Sequence, residues 1–125
     1  MGDLNKLNAI VWADIPVIDL DRAMAFYAAV LLREAKKIEM PGCTFAVLDR
    51  EGGNGACLVP SDDDVKPSAH GPLMYLNAEG RLEAAEAQVV KRGGKVLKPK
   101  HSIGPHGFRS VILDSEGNRV ALHSN

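Results

Sequence analysis

The side chains in this chain that could do chemistry are few and mostly isolated. His101 and His106 bracket the loop Ser102-Ile103-Gly104-Pro105. Two imidazoles so placed could share a metal ion, but no third ligand lies close in sequence. The plainer reading is an exposed loop that lines or gates the mouth of a site. Cys43 and Cys57 have no Cys-x-x-Cys spacing, and no His is placed to activate Cys43. Asp62, Asp63 and Asp64 lack the further oxygen ligands at loop spacing that a calcium site needs, and they read as solvated linker. Lys91, Arg92, Lys95, Lys98 and Lys100 form a basic patch at a helix end and the strand after it. Positive charge there complements the helix dipole; capture of an anionic substrate is the sharper alternative. His70 falls in the linker and reads as solvated.

Composition narrows the classes of function. The 125 residues fit one compact domain or two half-length modules, and a 46% apolar content can supply a core. Aromatics are scarce, so Val, Leu, Ala and Ile must make up most of that core. A net charge of −1 removes the long-range attraction that nucleic-acid or anionic-membrane binding relies on. No apolar run approaches the roughly 18 to 20 residues of a membrane span. Met1 to Lys6 shows no basic start followed by an apolar core, which predicts no signal peptide. With no disulfide framework, a reducing cytoplasm is the expected compartment.

The elements that must position these groups repeat. Leu48-Asp49-Arg50-Glu51-Gly52 returns 65 residues later as Leu113-Asp114-Ser115-Glu116-Gly117. Ala9 to Val17 reads as a strand, with Pro16 near its end because proline removes a ladder donor. Asp19 is a good N-cap for a helix over Leu20 to Leu31, which places Ala23, Phe26, Tyr27, Val30 and Leu31 on one face. Glu34 to Met40, Thr44 to Leu48 and Ala56 to Val59 read as strands. The same order returns as a strand over Leu73 to Ala78 and a helix over Arg81 to Arg92 closed by Gly93-Gly94. Strands over Lys95 to Lys100, Phe108 to Leu113 and Arg119 to His123 complete it. The expected organisation is a single domain over residues 1–125: a first module over about 8–60, a linker over 61–71 and a second module over about 72–125. The expected fold is α+β. Two βαβββ modules form a half-barrel cup with the helices on its convex side.

The chain resembles the vicinal oxygen chelate superfamily of glyoxalases, bleomycin-resistance proteins, fosfomycin-resistance proteins and extradiol dioxygenases. The residues that carry the resemblance are Ile15-Pro16-Val17-Ile18-Asp19-Leu20-Asp21-Arg22-Ala23-Met24-Ala25-Phe26-Tyr27 and Asp114-Ser115-Glu116-Gly117-Asn118-Arg119-Val120. Between them, Tyr75-Leu76-Asn77-Ala78 and Gly93-Gly94-Lys95-Val96 also look like the family. The nearest likeness is to small bacterial glyoxalase-related proteins. The resemblance implies a metal held by one inward-facing residue from the first and last strand of each module. Counted from the Asp19-Leu20-Asp21 anchor, these positions fall on Trp12, Ala56, Leu73 and Ala121, none of which can bind a metal. A shift of two residues keeps the same face and brings in Asp14, Leu58, Tyr75 and His123.

The expected site is therefore a metal-free cup with no cofactor, lined by Trp12, Asp14, Leu73, Tyr75, Phe108, Ala121 and His123. A carboxylate, a phenol and an imidazole inside an apolar cup make a binding or acid–base site. The opposing reading has Asp14 and His123 in structural hydrogen bonds and Tyr75 as core filler. Cys57 alternates away from Ala56 and is expected to be a small buried apolar residue. The first functional reading is a binder of a small planar or amphiphilic organic molecule. The second is a glyoxalase-like lyase, isomerase or dioxygenase with a divergent set of divalent-metal ligands. The third is a non-catalytic scaffold with a filled cup. A homodimer is expected, because half-barrels leave open sheet edges that are usually paired or covered.

Overall fold

The computed structural model describes residues 8–125. Met1 to Lys6, read above for a leader, lie outside the described residues. The first module comprises β1 (Trp12–Val17), α1 (Leu20–Leu31), β2 (Ala35–Met40), β3 (Cys43–Leu48) and β4 (Gly55–Pro60). The second comprises β5 (Met74–Asn77), α2 (Leu82–Lys91), β6 (Lys95–Ser102), a single 3-10 turn at Gly104–His106, β7 (Phe108–Leu113) and β8 (Arg119–Ser124). Each module is one four-stranded mixed sheet, ordered β1-β4-β3-β2 and β5-β8-β7-β6, with only the first pair parallel. The fold is α+β, with two unclosed βαβββ sheets in the half-barrel arrangement. Among the described residues no helix is long and apolar enough to cross a membrane.

The apolar spacing of α1 explains how the first sheet is covered. Ala23, Phe26, Tyr27, Val30 and Leu31 recur at helical spacing and are all buried. They pack on Ile15 and Val17 of β1, Ala46 and Leu48 of β3, and Ala56 and Leu58 of β4. In the second module Leu82, Ala85 and Val89 of α2 do the same over Ile112, Val120 and Leu122. The two helices also touch each other, so a single core runs beneath both. Asp19 caps α1 by accepting from the Arg22 amide at 3.0 Å. The α2 N-terminus has no side-chain cap, and its helix closes at Gly93, whose φ of 89° suits glycine.

Proline falls within two edge strands, β1 and β6. The carbonyl of Pro16 points away from β4 and accepts from Asn118 Nδ2 at 2.8 Å. Its missing N–H therefore costs the β1–β4 ladder nothing. Pro99 lies in the edge strand β6, within the register shift between Lys98 and His101.

The turn Asp114-Ser115-Glu116-Gly117-Asn118 clasps the modules together. Glu116 accepts from the Ile18 and Asp19 amides at 2.9 Å each, and from Arg22 Nε at 2.7 Å and Nη2 at 2.9 Å. Asp114 accepts from the buried Tyr27 hydroxyl at 2.6 Å and from the Glu116 and Asn118 amides at 2.8 Å. Burial alone would push the Glu116 carboxyl up. The hydrogen bonds from Arg22, Asp19, Ser115 and Ile18 outweigh it and hold that carboxyl at about 2.

Among the described residues, Glu51 in the earlier copy of the turn makes no such clasp. That turn is one residue longer, Gly52-Gly53-Asn54 against Gly117-Asn118, and Glu51 is exposed. Pseudo-symmetry therefore breaks at this end of the molecule, and there the structure opens.

Candidate functional site

Each sheet has one face under its helix and one facing the cup. Strand alternation assigns the cup face from the core residues. Ile15 and Val17 are in the core, so Trp12 and Asp14 face the cup from β1. Register then carries Gly55 and Cys57 to the same face, paired with Trp12 and Asp14. In the second module Met74 and Leu76 pack on the core, leaving Tyr75 and Asn77 on the cup face, level with Ala121 and His123. Arg109 and Val111 of β7 follow by pairing with His123 and Ala121, and His101 by pairing with Arg109.

Two expectations are corrected here. Ala56 does not face the cup; it lies under α1, as does Leu58, its two-residue alternative. Asp14 and Tyr75 occupy equivalent levels, so the equivalent of Ala121 is Cys57, not Ala56. The extra residue in the first turn flips strand parity, and counting 65 residues between the repeated turns lands one position off. Phe108 is likewise not in the cup. It shares the face of Ser110, which bonds Glu86 of α2, and Lys100 Nζ sits 5.0 Å from its ring centre. Leu73 precedes β5 and is half-buried.

On the first sheet, Trp12, Cys57 and Asp14 form a chain. Trp12 Nε1–H donates to Cys57 Sγ at 3.3 Å, and the thiol donates to Asp14 Oδ1 at 3.1 Å. Burial, reinforced by Asp14, pushes the Cys57 thiol up to about 11 despite the Trp12 bond. It stays protonated at neutral pH, so it serves as a hydrogen-bond relay and not as a nucleophile. Arg50 lies over the Trp12 ring at 5.0 Å.

The second sheet carries a network absent from the expectations above. Arg109 Nη1 donates to Tyr75 Oη at 2.6 Å, and Arg109 Nε donates to His101 Nε2 at 3.0 Å. His101 Nδ1 lies 2.9 Å from the Pro99 carbonyl, which can only accept. Nδ1 therefore carries the ring proton, and bare Nε2 receives Arg109. The His123 ring lies 6.2 Å from that of Tyr75, and its Nε2 donates to the His106 carbonyl at 2.7 Å. Arg109 was legible in principle, since alternation from Ile112 across the β7–β8 hairpin puts it beside His123.

Between the free edges of β1 and β5 lies a cleft of about 510 Å³. Its apolar walls include Trp12, Leu31, Leu48 and Met74, and the first-module turn from Asp49 to Gly52 forms its rim. Tyr75 and Asn77 complete the far side. Trp12 and Tyr75 thus meet at one cleft, whereas Asp14, Leu73, Ala121 and His123 are not among its lining residues.

The family model of the Glyoxalase/Bleomycin resistance protein/Dioxygenase superfamily matches residues 8–122. The chain belongs to that superfamily. Solved structures agree on the fold. A glyoxalase/bleomycin resistance protein from Albidiferax ferrireducens T118 superposes with a TM-score of 0.73 at 14% identity, covering 94% of this chain and 99% of that one. The genomically encoded fosfomycin resistance protein FosX from Listeria monocytogenes gives 0.68 at 14% identity, covering 95% and 94%. An E144Q glyoxalase I mutant from Zea mays gives 0.66 at 18% identity, covering 91% of this chain and 46% of that one. No curated protein matches the chain significantly.

The superfamily resemblance raises the question of a divalent metal on the first and last strands of each module. The cup-face residues there are Trp12, Asp14, Gly55 and Cys57 in the first module and Tyr75, Ala121 and His123 in the second. Among the described residues, no group of three or more His, Cys, Asp or Glu side chains is placed to hold a metal ion. Trp12, Gly55 and Ala121 supply no donor for such an ion at their positions. These residues do not fit the group.

Proposed function

We propose that this superfamily member binds a small planar or amphiphilic organic molecule in the cleft between β1 and β5, without a metal. One observation carries the reading: Trp12 and Tyr75 line the same cleft of about 510 Å³, a size suited to a small ligand. Trp12 is held in place by its bond to Cys57 and by Arg50 over its ring, so it offers a fixed stacking surface. Thermal-shift screening of aromatic and amphiphilic compounds, followed by calorimetry, tests the proposal. Trp12→Ala should remove about 1 to 3 kcal/mol of apolar contact, a loss of roughly five- to 150-fold in affinity. Unchanged affinity in a folded Trp12→Ala variant would place the ligand elsewhere. Stoichiometric transition metal in protein purified without chelator would overturn the metal-free part of the reading.

The same reading takes the protein to be a cytoplasmic homodimer. β2 and β6 are sheet edges without a partner strand among the described residues, and the β2 edge exposes Met40. Light scattering at micromolar concentration should give twice the chain mass, and a monomer would refute the assembly.

A further inference from the structure

The cup face of the second sheet has one sign of charge. Its strand positions carry Lys95, Lys98, Arg109 and Arg119 and no Asp or Glu, although the chain as a whole has a net charge of −1. Arg109 lies near the start of β7 on this face, half-buried, and has no acidic partner among the described residues. The ion pairs among the described residues are Arg22–Glu116, Lys37–Asp21 and Lys100–Glu83. Its neutral contacts fix the guanidinium without neutralising it. Nε is committed to His101 Nε2 and one Nη1 hydrogen to Tyr75 Oη. Among the described residues, one Nη1 hydrogen and both Nη2 hydrogens have no protein acceptor. Tyr75 Oη already accepts from Arg109, so its own O–H is also free to donate. The result is a cluster of aimed donors around a fixed positive charge, which is what an oxyanion needs. Tyr75 belongs to both places: it is a lining residue of the cleft, and its hydroxyl touches Arg109.

We propose that Arg109 and Tyr75 recognise the carboxylate of a small aromatic acid whose ring occupies the cleft beside Trp12. The inference rests on the cleft being the binding site and adds the chemical class of the ligand. A single guanidinium and one phenolic hydroxyl match a monoanion, and the planar fork of arginine matches the planar carboxylate. His101 is a positioning residue here. The second sheet's other cations raise the local concentration of anions without touching the ligand.

Calorimetry at pH 7 with 2-naphthoate and its uncharged analogue 2-naphthamide tests this. The wild type should bind the acid at least about tenfold more tightly than the amide. Arg109→Gln should bring the ratio of the two affinities close to one, and Trp12→Ala should weaken both probes. Tyr75→Phe keeps the ring and removes the hydroxyl; it should lower the ratio severalfold, and it decides the matter if Arg109→Gln fails to fold. Equal affinities in the wild type, or a preference that survives both Arg109→Gln and Tyr75→Phe, would overturn the role of Arg109 while leaving the cleft reading intact. Binding of neither probe by the wild type would overturn both.

Discussion

Replacing Glu116 with Gln should uncouple the two modules from each other. The carboxylate is fully buried and receives two backbone amides, the Arg22 guanidinium and the Ser115 hydroxyl. Burial opposes its ionisation, and these donors overcome that and hold it at about 2 against an ordinary 4.5. At about 1.4 kcal/mol per tenfold, the difference corresponds to roughly 3 kcal/mol of stability at neutral pH. Arg22 is half-exposed, with 50% of its side chain accessible, so water screens part of this and about 2 kcal/mol is the firmer figure. Glutamine also turns an N–H₂ group toward donors that need an acceptor, which adds about 1 to 2 kcal/mol. The expected loss for Glu116→Gln is therefore about 2 to 4 kcal/mol, or roughly 10 °C in melting temperature. The carboxyl titrates lower in the folded chain than in the unfolded one. Its contribution is present above about pH 4.5 and drains as pH falls toward 2. Urea denaturation of both proteins at pH 7 and pH 3 reads the effect. The stability gap should be widest at pH 7 and narrow at pH 3. A variant within about 0.5 kcal/mol of wild type at pH 7, or a gap independent of pH, would refute the clasp.

Three further outcomes follow from local geometry. A Cβ on Gly94 would lie 2.5 Å from the Leu113 carbonyl and 2.8 Å from Phe26 Cε2. Gly94→Ala should therefore cost about 2 to 3 kcal/mol in chemical denaturation. Leu32 ends α1 at φ 52° with its side chain largely exposed; Leu32→Gly should stabilise the protein by about 1 kcal/mol, read as a raised urea midpoint. At pH 8, iodoacetamide should label exposed Cys43 in the native protein and leave Cys57, whose thiol is pushed up to about 11, unmodified until unfolding. Comparable native labelling of both by mass spectrometry would count against the burial of Cys57 between Trp12 and Asp14.

Much of the fold was legible because it is written in short-range patterns. Helix α1 runs over the expected Leu20 to Leu31, since one capping Asp and an unbroken apolar stripe define it locally. The strand order was likewise carried by the repeated turn and the turn residues between strands. The first strand begins at Trp12 instead of Ala9, because its ladder starts only where Gly55 of β4 offers a partner. The facing of Cys57 was not legible: one additional glycine in a turn reverses the parity of the following strand, and only register with β1 reveals it. Nor could composition show that one copy of the turn grips α1 while the other opens beside the cleft. Arg109, Tyr75 and His101 lie on three strands, Tyr75 34 residues from Arg109, and their network exists only through β5–β8–β7–β6 pairing. The sequence alone thus determined the modules and their helices, whose causes are local. Tertiary structure decided which side chains share the cup, because pairing register and broken symmetry are properties of the whole assembly.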